Sequence, residues 1–338
     1  VKRFHGQPIF LPPEYFPEKF VNLAQEIVQL VMPASFTDDF SKLETLTKKR
    51  GFKKGRICVT GAATVSDKNN FELAHAHLTG ERIVRCQHGS DYGTMENTIQ
   101  EGLPEYPYSA FLTWGWKVEN SYEGNFIPAP APLLSKYKNS YKKKSEKIVL
   151  VGSKMWVFPT RIDQTPEPSY AIEYRKNKID LVNNLAPLPK NNLVYRPYLR
   201  GLSDLEDEEY FQLTFPKIPI LRGDLHRCMR KCKLVVLDHP GTTMHFALSM
   251  GVPTLMFWPK NIWPVSKHAR PYFDSLVDAE IIHHTPMGVA QKINEIFHKT
   301  EQWWHQPDIQ LARLKWTKEF ASTSNNWWVD WFKILHKL

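Results

Sequence analysis

Residues Lys233 to Gly251, KLVVLDHPGTTMHFALSMG, constrain this chain more tightly than any other stretch. Leu234 to Asp238, four apolar residues closed by an acid, read as a buried strand. His239-Pro240-Gly241 turns the backbone, and Thr242 to Met250 reads as a helix that starts at that turn. A strand feeding straight into a helix leaves unpaired backbone N–H groups at the helix start, here beside the Thr242 and Thr243 hydroxyls. Such a start attracts phosphate.

The same strand-then-helix rhythm runs through the chain. Strands are expected at Ile57 to Thr60, Arg82 to Gln87, Lys147 to Val151, Asn192 to Pro197 and Val252 to Trp258. Helices are expected at Asp67 to Leu78 and Tyr170 to Leu185, with a short one near Thr37 to Lys48. Ahead of these, Phe20, Leu23, Ala24, Ile27, Val28 and Val31 form one apolar helical stripe that Pro33 ends. The alternation predicts an α/β fold with parallel sheets. A length of 338 residues is too great for one ordinary core, so two domains are expected. Phe126 to Pro132 alternates three prolines and cannot be a helix interior or a central strand. With the basic run Lys136 to Lys147 after it, this segment reads as a solvated interdomain connection, although a membrane-surface patch is a second reading of the run. From Tyr272 onward the pattern is helical, with Trp303, Trp304, Trp316, Trp327, Trp328, Trp331 and Phe332 as bulky anchors for terminal helices.

Composition narrows the partners. Lys+Arg 44 against Asp+Glu 35 gives a formal charge of +9, which favours anionic ligands. Nucleic acid is not expected as a partner, because the charge comes without an RNA or DNA motif. No apolar run approaches the roughly 18 residues that span a bilayer, and the start VKRFHGQPIFLPPEYFP lacks a signal-peptide core. That start also lacks an initiator Met, as expected for the later part of a longer polypeptide. Four scattered cysteines, Cys58, Cys86, Cys228 and Cys232, suit a reducing compartment, so a cytoplasmic location is expected. His226, Cys228 and Cys232 find no fourth ligand at structural-zinc spacing, and read as helix-face residues.

Chemistry-bearing residues cluster at the ends of the expected strands. His88-Gly89-Ser90-Asp91-Tyr92-Gly93 follows the strand at Arg82 and offers an imidazole, His88, just before the first of two glycines and a carboxylate, Asp91, between them. Two readings stay open for Asp91: a reacting carboxylate, or an Asx-turn that satisfies local N–H groups. Trp114 and Trp116, in Phe111 to Trp116 (FLTWGW), offer aromatic faces to a sugar or fill the core, and Tyr92 and Glu105 join them as candidate acceptor or sugar contacts. Gly152-Ser153, after the strand at Lys147, is a second candidate phosphate or ribose contact. Arg196 and Arg200 could clamp a carboxylate or phosphate. His239, Pro240, Gly241, Thr242 and Thr243 are the expected grip on the donor phosphate. There is no GxxxxGK[ST] loop, which argues against a P-loop phosphotransferase. Asp238 stands outside any Asp-x-Asp pair, which favours a donor with one phosphate, held without metal.

QHGSDYG at Gln87 to Gly93, FLTWGW, LDHPGTT at Leu237 to Thr243 and EQWWHQPDIQLAR at Glu301 to Arg313 resemble, in this order, a family of bacterial surface-carbohydrate transferases. That family includes retaining β-Kdo (3-deoxy-manno-octulosonic acid) transferase modules of O-antigen synthesis, and the resemblance covers roughly Phe52 to Leu335. It implies a GT-B architecture: two Rossmann-like domains facing each other across a cleft, at residues 1–135 and 146–315, with the C-terminal helix 316–338 packing back on the first. It also implies a CMP-linked sugar acid as donor, a cell-surface glycan as acceptor, in some cases lipid-linked, no cofactor, and work at the inner face of the inner membrane. The His239-Pro240 pair is similar to the His-Pro motif with which sialyltransferases of that architecture hold CMP. By the same resemblance Asp91 matches the nucleophile of a double displacement, with His88 beside the reacting centre. The chain departs from the family at Ser90, where Gly is usual, at Asp91, which many relatives replace, and at Ser109, where Asp is expected. Two alternatives are a non-catalytic CMP-sugar-binding domain of a larger synthase and a sialyltransferase-like inverting enzyme.

Overall fold

The computed structural model describes residues 17–61, 66–96, 105–118, 124–158, 166–198 and 205–338. By internal contacts the chain divides into two compact units, Val1–Val84 and Arg85–Leu338. In the first unit, α1 (Glu18–Val31), α2 (Phe40–Lys48), β1 (Ile57–Gly61) and α3 (Asp67–Leu78) follow one another. Phe36 and Phe40 pack on Phe71 of α3 at centroid distances of 6.3 and 5.2 Å, while Leu23, Ile27 and Val31 of the α1 stripe are exposed. Strand β2 (Arg82–Cys86) carries the chain into the second unit.

The second unit opens with β3 (Ala110–Thr113) and β4 (Phe126–Pro128), parallel and in register Phe111 to Phe126. Strand β4 is an edge strand, the one place where a strand tolerates Pro128. After α4 (Pro132–Tyr137) comes β5 (Ile148–Val151), then α5 (Ala171–Asn183), α6 (Pro187–Asn191) and β6 (Leu193–Arg196). There follow α7 (Asp207–Thr214), α8 (Leu225–Met229), β7 (Leu234–Leu237), α9 (Thr242–Met250) and β8 (Thr254–Phe257). The chain then forms α10 (Arg270–Asp278), β9 (Ile282–His283), α11 (Pro286–Ile296), α12 (Thr300–Trp304), α13 (Pro307–Phe320) and α14 (Trp327–Lys337). The five strands β5 to β9 form one parallel sheet in the order β6-β5-β7-β8-β9. Every residue of β5, β7 and β8 is buried, which is why these strands read as unbroken apolar runs. The α/β class with parallel sheets is as the sequence predicts. Strand β9 is the exception: two residues in a region expected to be helical, too short to leave a periodic signal.

The two ends of α9 are finished differently. At its C-terminus Gly251 turns left-handed with φ 77°, the Arg313 Nη1 donates to the Leu248 carbonyl at 2.7 Å and the Trp304 Nε1 to the Gly251 carbonyl at 2.9 Å. Gln310 links these two caps, donating to the Trp304 carbonyl and accepting from Arg313 Nε at 2.8 Å. At the N-terminus no side chain caps the helix.

The Lys136 to Lys147 run is not a loose linker. Asn139 N donates to the Ser249 carbonyl at 2.9 Å, Tyr141 N to Met250 at 3.2 Å, Lys142 N to Arg230 at 2.9 Å and Lys144 N to Lys231 at 2.8 Å. These backbone bonds stitch it to the end of α9 and to the turn before β7. Trp331 of α14 donates to the Pro130 carbonyl at 2.8 Å, so the last helix returns to the proline-rich segment, with Trp328 and Phe332 exposed.

His245, on α9, is fully buried between the rings of Trp114 and Trp316, each at 5.8 Å, and burial lowers its pKa to about 4. The folded chain therefore holds His245 neutral while the unfolded chain protonates it near pH 6.5. This contribution, about 3 kcal/mol, is fully present above pH 6.5 and is lost as pH falls towards about 4. The replacement His245→Phe is expected to flatten the acid limb of a stability-versus-pH curve in that window, measured by denaturant unfolding.

Candidate functional site

The order β6-β5-β7 reverses the direction of the sheet at β5, which opens a crevice at the carboxyl ends of β5 and β7. Both turns expected to hold the donor lie there: Gly152-Ser153 directly after β5, and His239-Pro240-Gly241 directly after β7. Gly152 must be glycine, because a Cβ would stand 2.5 Å from the Tyr195 Oη. The Ser153 N–H donates to Tyr174 Oη at 2.7 Å, which fixes the backbone of that turn. Arg196 closes β6 and donates Nη1–H to the Leu221 carbonyl at 3.1 Å, so part of its guanidinium is committed to the chain itself. Arg200 lies outside the described residues.

His239 is held from beneath. Its Nδ1 lies 2.9 Å from Asp238 Oδ1, and an acceptor-only carboxylate there assigns the proton to Nδ1. A Cβ on Gly241 would fall 2.4 Å from His239 Nε2 and Cδ2, so the ring lies across the residue that starts α9 and Nε2 stands beside the uncapped helix turn. Asp238 does not stand alone. Among the described residues its Oδ2 accepts no hydrogen bond, and it lies 4.0 Å from Lys178 Nζ, itself paired with Asp207 and donating to Tyr195 Oη at 3.1 Å. Tyr195 donates to Asp207 in turn. Burial first, and the nearby Asp238 and Asp207 carboxylates second, push the Tyr174 and Tyr195 phenols well above their usual pKa, so both remain hydroxyl donors.

Sequence reasoning missed this layer. Asp207 belongs to the run Asp204 to Glu209, whose four further acids read as a solvated loop or helix start, yet Asp207 is buried against Lys178. A usable signal existed: Tyr174, Lys178, Leu181 and Val182 share one helical face, which puts a lysine on an otherwise buried stripe.

The His88 turn meets this crevice. A Cβ on Gly89 would lie 3.4 Å from Thr242 Oγ1, which sets the turn beside the first residue of α9. Its far flank is stitched to the segment after β8, with Ser266 Oγ donating to the Gly93 carbonyl at 2.9 Å, Ser266 N to Thr94 at 2.9 Å and Glu96 N to Pro264 at 2.9 Å. Gln87 ties the turn to FLTWGW: its Oε1 accepts from Trp114 N and Trp116 Nε1, both at 2.8 Å, and its Nε2 donates to the Gly89 carbonyl at 2.7 Å. Gly93 has φ 72°, and a Cβ there would strike the Trp116 ring at 2.6 Å.

Asp91 accepts from Ser90 Oγ at 2.8 Å. Among the described residues no backbone N–H bonds that carboxylate, so the Asx-turn reading does not hold, and the serine that replaces the usual glycine has a job as its partner. Trp114 and Trp116 are core side chains, Trp116 with 0% exposure, and present no open face to a sugar. Tyr92 and Glu105, 2% and 3% exposed, are likewise not surface contacts. They form a buried chain behind His88: His88 Nδ1 lies 2.6 Å from Tyr92 Oη, which donates to Glu105 Oε2 at 2.8 Å, and Glu105 Oε1 is 3.8 Å from the fully buried Arg85. Among the described residues no three His, Cys, Asp or Glu side chains are placed to hold a metal. His226 stacks on Tyr137 and Phe246, and the Cys232 thiol donates to the Met229 carbonyl.

Nearly the whole sequence also matches a known family. It matches the model of the LIC12162 family transferase over residues 11–335. The chain belongs to the LIC12162 transferase family. Among solved structures, this family member is similar to Acinetobacter baumannii MurG, with 10% identity, 88% of this chain and 76% of that one covered, and a TM-score of 0.48. It is also similar to WaaG, a glycosyltransferase involved in lipopolysaccharide biosynthesis, with 11% identity, 88% and 94% covered, and a TM-score of 0.37. A stretch of 73 residues is 38% identical to the tryptophan biosynthesis protein TrpCF of Buchnera aphidicola subsp. Baizongia pistaciae, 21% of this chain and only 16% of that protein. No described helix of the LIC12162 family member is long and apolar enough to cross a membrane.

Replacing Gly241 by Ala is expected to displace the His239 ring while leaving the sheet intact. Long-range ¹H–¹⁵N correlation spectra should show the His239 ring signals shifted in that variant, with unchanged circular dichroism.

Proposed function

We propose that this chain is a GT-B glycosyltransferase that moves an acidic sugar, Kdo, from CMP-Kdo to a hydroxyl of a bacterial cell-surface glycan, with retention of configuration. One observation carries the reading: the donor-side turns at Gly152 and His239 and the His88 to Gly93 turn converge on the uncapped start of α9. Membership of a transferase family agrees with it.

In this reading the single phosphate of CMP sits against the α9 N–H groups and the Thr242 and Thr243 hydroxyls, with His239 as the imidazolium, whose Nε2–H donates to a phosphate oxygen while its Nδ1–H stays on Asp238. Those groups take up the charge that the phosphate gains as the glycosidic bond to it breaks. A carboxylate oxygen of Asp91, oriented through Ser90, attacks the anomeric carbon from the opposite face and forms a glycosyl ester. His88 then accepts the proton of the acceptor hydroxyl, whose oxygen displaces Asp91 and restores the original configuration. A monophosphate leaving group places modest demand on counter-charge, which helix, hydroxyls and imidazolium meet without a metal ion. A lipid-linked acceptor at the inner face of the inner membrane would suit the positive charge of the chain.

Incubation with CMP-Kdo and a Kdo-accepting glycan is expected to release CMP and extend the glycan, read by mass spectrometry. Asp91→Asn should lower transfer at least about 1000-fold while CMP binding stays within about twofold. Normal turnover of that variant would remove Asp91 from the mechanism, and absence of any CMP release from the intact protein would remove the donor assignment.

A further inference from the structure

The buried chain behind His88 sets which of its nitrogens carries a proton. We propose that Tyr92 and Glu105 are positioning residues that hold neutral His88 as the tautomer protonated on Nδ1, leaving the Nε2 lone pair as the atom that takes the acceptor proton. The assignment of the base builds on the transferase reading above, whereas the tautomer stands on geometry alone.

A phenol has one proton and two lone pairs. The Tyr92 hydroxyl sits between the Glu105 carboxylate at 2.8 Å and the His88 Nδ1 at 2.6 Å. The stronger acceptor of the two is the carboxylate, since a charge-assisted O–H···O⁻ bond is about twice as strong as a neutral one. Arg85, 0% exposed, strengthens that preference. Among the described residues its guanidinium makes no hydrogen bond, and Glu105 Oε1 lies 3.8 Å from it, so the buried cation draws the negative charge of that carboxylate. With its proton committed to Glu105, the Tyr92 oxygen can only accept from His88, and Nδ1 must be the protonated nitrogen.

The geometry leaves Tyr92 little freedom to choose otherwise. Its ring stacks on Phe111 at 5.4 Å and meets His88 edge-on at 5.3 Å, and the backbone after it is locked where the Trp116 ring lies against Gly93. The arrangement parallels His239, whose Nδ1 is pinned by Asp238. Two histidines, one in each turn, are therefore both pinned at Nδ1 by buried acids, one through a tyrosine and one directly.

Long-range ¹H–¹⁵N correlation spectra of the uniformly ¹⁵N-labelled protein at alkaline pH report histidine tautomers directly. The His88 signals are identified among the 13 histidines by their loss in His88→Gln. The expected result is a protonated, pyrrole-type Nδ1 and a bare Nε2. A His88 ring protonated on Nε2, or one averaged between both forms, would overturn the proposal whatever the enzyme transfers. In Tyr92→Phe, which keeps the ring packing, the His88 signals should move towards the Nε2-protonated form that an unconstrained imidazole prefers. Unchanged signals in that variant would equally overturn it. If transfer from CMP-Kdo fails while the tautomer is as expected, the donor reading falls and the positioning role stands.

Discussion

The site depends on the unequal treatment of the two ends of α9. A helix leaves its last carbonyls and first N–H groups without partners inside itself. Here the carbonyl end is satisfied by Arg313, Trp304 and the left-handed Gly251, while the amide end is left to whatever enters the crevice. The positive end of the dipole is thus kept available, and the switch point of the sheet delivers both flanking turns to it. LDHPGTT and EQWWHQPDIQLAR thus serve the same helix. The first supplies the open end of the helix and the second closes the other.

Buried polar groups do the positioning around that end. Lys178, Asp207, Asp238, Tyr174 and Tyr195 lie under the donor turns, and Arg85, Glu105 and Tyr92 lie under the His88 turn. Burying such groups is costly unless they satisfy one another, and in return the paired groups fix ring orientations that solvent would leave open. Gln87 adds a neutral version of the same device, with a single carboxamide joining the His88 turn to both tryptophans of FLTWGW.

The legible parts of the sequence were the local ones. Each buried strand of the second sheet except β9 announced itself as an apolar run, and α9 and the turn before it were readable to the residue, because strand, turn and helix signals there follow one another without a gap. What could not be read was pairing across distance. Lys178 and Asp207 are 29 residues apart and Gln87 and Trp116 also 29, and no local spacing links either pair. Trp114 and Trp116 show the other limit. A tryptophan at a strand end has the same letters whether it faces a sugar or fills a core, and only the three-dimensional neighbours decide. Tyr92 and Glu105 were singled out in sequence for contact with the acceptor, and the structure turns them inward to act on another side chain.

The caps on α9 also redraw what belongs to the fold around the crevice. Helices α12 and α13 follow the last strand and could be taken for an appendage to the five-stranded sheet. A chain shortened before Glu301 would keep every residue that faces the crevice, yet the Leu248 and Gly251 carbonyls would lose the Arg313 and Trp304 donors. On the proposed role of His239, the smallest fragment able to hold an anion there therefore extends past Arg313, some 70 residues beyond that turn.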